Sequence, residues 1–331
     1  MPNKTITDCS STLPDYRSEL SAYDDCTFTI SQSPAPGTLL STLGNGNHTI
    51  TFTVSDESPN SPNTTCTMVL TLSGCSPCGT CGASSTHNGT GWSIGTPTLS
   101  TPVIFTGNFT ATEDLFACSV VVASGATVVI PSEINFTVCG SVTVENGGSF
   151  TFNNNANLIQ INDVSNTGNI IMKRDTNPLK RLDYTIWSAP VAGQNLLAFS
   201  PLTLTNRFYT YNTATDAHSA VNPSTTSFTP GLGYQIRVPN NHPISTPTSW
   251  TGTFTGVPNN GPYNVTISDA LNRYNMVGNP YPSPIDLATF SSVNASNIEG
   301  TIWFWRKENS IVTQGVWTTW NAGTFTTASS N

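Results

Sequence analysis

Four sets of residues in this chain have types and spacings that could do chemistry. Cys75-x2-Cys78-x2-Cys81 places three thiols at the close intervals at which thiolates converge on one zinc ion or iron–sulfur cluster. Gly91-Trp92-Ser93-Ile94-Gly95 fits the G-x-S-x-G pattern, in which a strand-to-helix turn exposes a serine nucleophile beside an oxyanion hole. Asp24, Asp25, Glu113 and Asp114 are carboxylates of the kind that divide the acid and nucleophile roles in glycoside hydrolysis, and Asp56 and Glu57 are hard oxygen donors suited to calcium on a loop. Trp303 and Trp305 share one face of a strand, with Trp317 and Trp320 close behind; exposed indoles at that spacing make a platform on which a sugar ring can stack.

Each set also has a plainer reading. No helical pattern follows Ser93, which enters a Thr- and Pro-rich strand region, and the carboxylates sit in turn contexts where solvation accounts for them. The histidines at 48, 87, 218 and 242 stand apart and show no H-E-x-x-H spacing. In an oxidising compartment the thiols pair with one another rather than holding a metal. Phe304 lies on the face opposite Trp303 and Trp305, so both faces of residues 302 to 305 are apolar, and this favours buried core over a sugar platform. Lys173, Arg174, Lys180 and Arg181 interleave with Asp175 and Asp183, a pattern expected of internal pairing at a domain junction rather than of an open anion site. The expectation is therefore of no catalytic residue, no metal and no cofactor.

Composition narrows the class. Ser and Thr make up 89 of 331 residues, Asn another 34, and only 9% of residues are charged. Thr suits pleated strands, while Asn, Ser, Gly and Pro supply turns, so solubility here rests on hydroxyls and amides. The eight Asn-x-Ser/Thr sequons are what so many Asn, Ser and Thr would produce by chance. A net charge of −8 with only 11 Lys and Arg argues against nucleic acid as a partner. No apolar run reaches the roughly 18 residues of a membrane helix, so no transmembrane segment is expected. The start, MPNKTITDCS, lacks the apolar stretch of a signal peptide. Eight cysteines then imply an extracellular or cell-surface protein whose export signal lies outside this sequence, with an extracellular glycan or protein, or a second copy, as partner.

The elements that would position these residues are strands. SVVVASGATVVI at 119–130 returns 22 positions later as SVTVENGGSFTF at 141–152, a period suited to stacked coils of a β-solenoid that bury one another's apolar faces. We assign 92–175 to this solenoid, with a weaker third coil through Leu158–Ile161 and Gly168–Met172. Residues 1–75 alternate as a small sandwich, in His48–Val54 and Cys66–Leu72, and 76–91 read as a Cys/Gly/Ser linker. Residues 176–331 carry short aromatic strands expected to form an antiparallel sandwich, among them Arg207–Tyr211, Gly233–Val238, Tyr263–Ile267 and Thr301–Trp305. Only Ile285–Ser292 could turn as a helix. The fold class is all-β. Facing strands in the first module suggest a Cys26–Cys66 bridge, leaving Cys9 for Cys75; Cys118 and Cys139, 21 residues apart against a repeat of 22, are nearly one coil apart and are expected either to bridge or to stay buried thiols; and Cys78 and Cys81 bridge each other or either takes another partner.

Two resemblances add to this. DDCTFTISQSPAPGTLL, GNGNHTITFTVSDES and TTCTMVLTL, within residues 8–74, resemble the hyalin-repeat (HYR) family, which implies an immunoglobulin-like extracellular module used for adhesion or spacing. LDYTIWSAPV, FTPGLGYQIRVP, FTGVPNNGPYNVTI, YNMVGNPYPSPIDLATF and TIWFWRK resemble modular surface proteins of Bacteroidetes exported by type IX secretion. Together they imply a non-catalytic structural or adhesive surface protein able to assemble into a fibre, or else a glycan-binding module of a polysaccharide-degrading system.

Overall fold

Alternating Thr and apolar residues decide the first unit. β1 (Lys4–Ile6), β2 (Phe28–Ser33), β3 (Gly46–Asp56) and β4 (Thr64–Leu72) form one sheet in the order β1-β4-β3-β2, parallel between β1 and β4 and antiparallel elsewhere. Period-2 alternation sends Ile50, Phe52, Met68, Leu70 and Leu72 to one buried face, where Leu13, Tyr16 and Leu40 cover them. Buried Gln32 ties the covering segment down: its Oε1 accepts from Tyr16 N at 2.8 Å and its Nε2 donates to Pro14 O at 3.0 Å. The computed structural model describes residues 2–7, 12–21, 27–38, 40–43, 46–56, 63–73, 78–307, 315–321 and 323–327. It divides the chain into units 1–80 and 81–331.

The second unit opens with coils. β5 (Ser85–His87) lies within the stretch read as a linker and is already the first solenoid strand, pairing in parallel with β6 (Val103–Phe105). Three coils of three strands follow: β6, β7 (Phe109–Thr110) and β8 (Leu115–Ala117); β9 (Val120–Val122), β10 (Thr127–Ile130) and β11 (Asn135–Val138); β12 (Val142–Val144), β13 (Ser149–Phe152) and β14 (Asn157–Gln160). Between the second and third coils the pairs Val120↔Val142, Thr127↔Ser149 and Asn135↔Asn157 all keep a 22-residue shift. Leu158–Gln160 thus completes the third coil rather than starting a further one. Inward positions such as Val120, Val128, Phe136, Val142 and Phe150 are fully buried in one continuous core, while their neighbours point outward.

The last coil does not end in open edges. β15 (Ile170–Asp175) stacks in parallel on β13 and then receives the antiparallel β21 (Thr251–Pro258), on which β17 (Val191–Ala192) pairs. On the other two sides, Val144 N donates to Thr167 O at 2.8 Å, and Leu158 N donates to Pro282 O at 3.1 Å. The solenoid and the C-terminal strands therefore share one sheet and one core, in which Met172 and Ile170 continue into Trp187, Phe199, Phe228 and Phe254. The remaining strands are antiparallel. β16 (Tyr184–Trp187), β18 (Phe208–Asn212), β19 (Ala217–Ala220) and β20 (Tyr234–Arg237) form a sheet in the order β16-β20-β18-β19, and β22 (Thr301–Lys307), β23 (Gly315–Asn321) and β24 (Thr324–Thr327) form another. Tyr263–Ile267, expected as a strand, has no ladder pairing; Val265 packs over Gly231 instead. A helix does form at Leu287–Val293, capped by Asp286, whose Oδ1 accepts from Thr289 N at 2.7 Å. No described helix is long and apolar enough to cross a membrane.

Candidate functional site

The cysteines are structural where they are described. Cys81 and Cys118 form a disulfide with α-carbons 5.8 Å apart, inside the roughly 4.4–6.8 Å a bridge tolerates. Cys78 and Cys139 are also disulfide-bonded. Two of the expected pairings are thereby corrected, since Cys118 does not pair with Cys139 and Cys78 does not pair with Cys81; Cys81 takes the other course, a bridge to another partner. Register is not what separates them: Val138 pairs with Ala117 and Gly140 N donates to Cys118 O at 2.7 Å, so Cys139 stacks level with Cys118, whose sulfur is already bonded to Cys81. Cys66 is exposed and without a disulfide partner among the described residues, while Cys9, Cys26 and Cys75 lie outside them.

Ser93 is a backbone cap. Its Oγ accepts from Thr86 N at 2.9 Å, and no helix follows it. The neighbouring Trp92 closes the open end of the first coil, with its ring 4.8 Å from His87, 5.6 Å from Phe105 and 5.5 Å from Phe109. His87 Nδ1 accepts from Gly89 N at 3.2 Å, and burial pushes its pKa below the usual 6.5, so the ring sits neutral in this aromatic plug. Asp114 belongs to an outward ladder: Asn135 N donates to its Oδ1 at 2.8 Å, and Asn157 Nδ2 donates to Asn135 Oδ1 at 2.9 Å. Asp24, Asp25 and Glu57 lie outside the described residues; Asp56 ends β3. Among the described residues no three His, Cys, Asp or Glu side chains gather as a metal site.

The junction cations resolve differently from the expected pairing with interleaved acids. Arg174 donates to Ala156 O at 2.9 Å, to Lys173 O at 2.9 Å and to Asn157 Oδ1 at 3.2 Å, so it satisfies turn carbonyls rather than a carboxylate. Asp175 accepts from the Thr251 hydroxyl at 2.5 Å, and Asp183 lies 3.8 Å from Lys307, far along the chain.

The aromatic strands give the most chemically suggestive surface. Along β22 the registers Trp303↔Thr319 and Trp305↔Trp317 put Trp303, Trp305 and Trp317 on one face. Trp303 is 49% exposed and Trp317 42%, against the expectation of core; only Trp320, on the reverse face, is buried at 5%. Trp305 is half-buried, its Nε1 donating to Tyr184 O at 3.3 Å. A three-stranded sheet held to its neighbour near that contact leaves its far half uncovered. Tyr274, 51% exposed, stands against Trp303 with ring centroids 6.3 Å apart and planes at 89°, so the two rings make an open corner. Tyr274 escaped sequence reasoning because it sits in an irregular, Pro-rich segment with no period to read.

A second recess, of about 290 Å³, lies where the Pro282 loop covers the third coil; Gln160, Asp163, Asn259, Asn260 and Tyr281 line it. Most of these polar groups are spent internally: Tyr281 Oη donates to Gly261 O at 2.8 Å, and Asn260 Nδ2 donates to Asn162 O at 2.8 Å and Val164 O at 3.0 Å. No signal in the sequence marked this recess, since its walls come from segments about 100 residues apart.

Fold and surface together define an all-β protein: a disulfide-stapled β-solenoid, closed at its last coil by antiparallel strands that display an aromatic sheet. Residues 81–329 match the model of a domain of unknown function, DUF8693, and the chain belongs to that family. Neither the comparison with curated proteins nor that with solved structures gave a match.

Proposed function

We propose that this chain is a non-catalytic, extracellular cell-surface protein that acts as a structural or adhesive component through displayed faces. The observation that carries the reading is the exposed corner of Trp303, Trp317 and Tyr274 on a sheet held by a disulfide-closed body. Large exposed aromatic patches on soluble folds mark interaction sites. The disulfides support an oxidising location. The HYR-like sequence of residues 8–74 and the likeness of later segments to type IX-exported Bacteroidetes proteins support placement at a bacterial surface. Assembly into a fibre draws on the outer strands β19 and β24 rather than on the last solenoid coil, whose edges are already occupied.

A second reading, a glycan-binding module of a polysaccharide-degrading system, is favoured by the near-perpendicular Tyr274 and Trp303 rings, which can stack a sugar on one plane and flank it with the other. Surface labelling of intact producing cells with a membrane-impermeant reagent tests location; a chain that stays unlabelled sinks the surface reading. Binding to cell-surface material and to arrayed glycans, with Trp303→Ala combined with Trp317→Ala, tests the face. Loss of binding with unchanged circular dichroism is expected, glycans alone as ligand select the second reading, and undiminished binding refutes both uses of this face.

A further inference from the structure

We propose that Tyr184, Arg207, Tyr209 and Arg237 form a binding site for an oxyanion, the carboxylate or sulfate group of an acidic ligand. The site lies on the β16-β20-β18 face and is separate from the aromatic corner. Tyr184 pairs with Arg237 across β16 and β20, and Phe208 pairs with Ile236 across β18 and β20, which puts Arg207 next in register opposite Arg237. Arg237 N donates to Arg207 O at 3.2 Å, consistent with that register. Residues level with one another on neighbouring strands share a face, so tyrosine and two arginines stand in one row.

Like charges directly opposite on a sheet are unfavourable, and a buried charge is ordinarily paired. Here neither condition is relieved by the protein. Arg237 is only 6% exposed, yet its one side-chain bond is from Nη2 to Asn240 Oδ1 at 3.2 Å, and its Nε is buried without a partner. Arg207 Nε is likewise buried and unpartnered, while its Nη1 reaches Tyr209 Oη at 3.3 Å. Neither arginine forms an ion pair among the described residues. The other members of the row are hydroxyls. Tyr209 Oη donates to Asn206 O at 3.0 Å, and the Tyr184 ring lies 6.1 Å from that of Tyr209. Burial, then Tyr209, pushes the Tyr184 pKa up against the downward pull of Arg207, so it stays protonated as a donor. Among the described residues this row offers two guanidinium groups and a hydroxyl and no carboxylate, and a group that only accepts complements it. In a chain of net charge −8 such attraction is local, not a general feature of its surface.

The experiment uses the whole chain and reads the Arg207 and Arg237 Nε–H signals by NMR, together with the melting temperature, during titration with sodium sulfate or sodium glucuronate. Sodium chloride at matched ionic strength is the control. The expected result is a saturable shift of both Nε–H signals and a rise in melting temperature with sulfate or glucuronate and not with chloride; the stronger of the two names the group. Arg207→Gln and Tyr184→Phe, both at half-exposed positions that leave the buried Arg237 in place, lower the affinity about tenfold or more for the first and less for the second. If neither anion shifts the Nε–H signals beyond chloride, or if Arg207→Gln binds as well as the unaltered chain, the row is merely a tolerated repulsion and the proposal fails.

Discussion

Replacing Cys81 with Ser and Cys118 with Ala removes the bridge that ties the chain before β5 to the turn between the first and second coils. The two cysteines are 37 residues apart. For a loop of that length the chain-entropy relation gives about 13 cal/mol/K, hence about 4 kcal/mol at 25 °C. The segment so tethered contains β5, β6 and the Trp92 plug, the end of the stack on which no further coil lies among the described residues. A folded body the size of residues 81–331 loses roughly 2–4 °C per kcal/mol, so the melting temperature should fall by roughly 8–16 °C. Calorimetry of the double variant beside the unaltered chain, both without reductant so that the disulfides at Cys78 and Cys139 stay intact, reads this directly. A fall smaller than roughly 3 °C would refute the argument, because it would mean the first coil is held as firmly without the staple.

Three further outcomes follow from single sites. Gly168 and Gly193 both have φ +79°, but a side chain at Gly168 would overlap the Val144 carbonyl oxygen while Gly193 faces open space. Gly193→Ala should therefore cost about 1 kcal/mol for its backbone conformation alone, and Gly168→Ala at least about 2 kcal/mol more, as read from urea midpoints. Trp92→Ala should cost about 2 kcal/mol in the same assay, roughly half the value for a fully buried aromatic, since the ring is half-buried. His87 has a folded-state pKa below 6.5, so the unfolded chain holds more protons just below that pH and stability falls as pH drops through 6.5 towards the folded value. His87→Phe should reduce the drop in melting temperature between pH 7.5 and 5.5; His218, whose pKa burial lowers in the same direction, contributes to the part that persists.

The 22-residue repeat was legible because two successive coils have equal turn lengths and strict inward–outward alternation. The earlier coils were hidden because their shifts differ: Val103↔Val120 is 17, Phe109↔Val128 is 19 and Leu115↔Phe136 is 21. β5 disappeared into a Gly- and Ser-rich stretch because three residues carry no readable period. The cysteines misled because stacking Cys139 level with Cys118 does not decide which thiol each one bonds, and Cys118 takes Cys81 from before the first coil. Trp303 and Trp317 misled in the opposite direction: apolar residues on both faces of β22 suggested a sandwich interior, yet among the described residues the sheet has three strands, and Trp303 and Trp317 lie on the part of its face left open. The C-terminal region was read as antiparallel strands correctly, but its union with the coils through β15 and β21 depends on a pairing between residues about 80 apart, which local pattern cannot reveal.

That union is the centre of the account: coils and C-terminal strands are one folded body, and the aromatic sheet hangs from it. Hydrogen exchange followed residue by residue measures it most directly. Amides of Met172 in β15 and Phe254 in β21 should exchange within about tenfold of Val128 and Phe150 in the coils, as members of one cooperative core. Exchange in β21 about a thousandfold faster than in β10 and β13 would contradict it, since the solenoid would then be stable without the strands that close it.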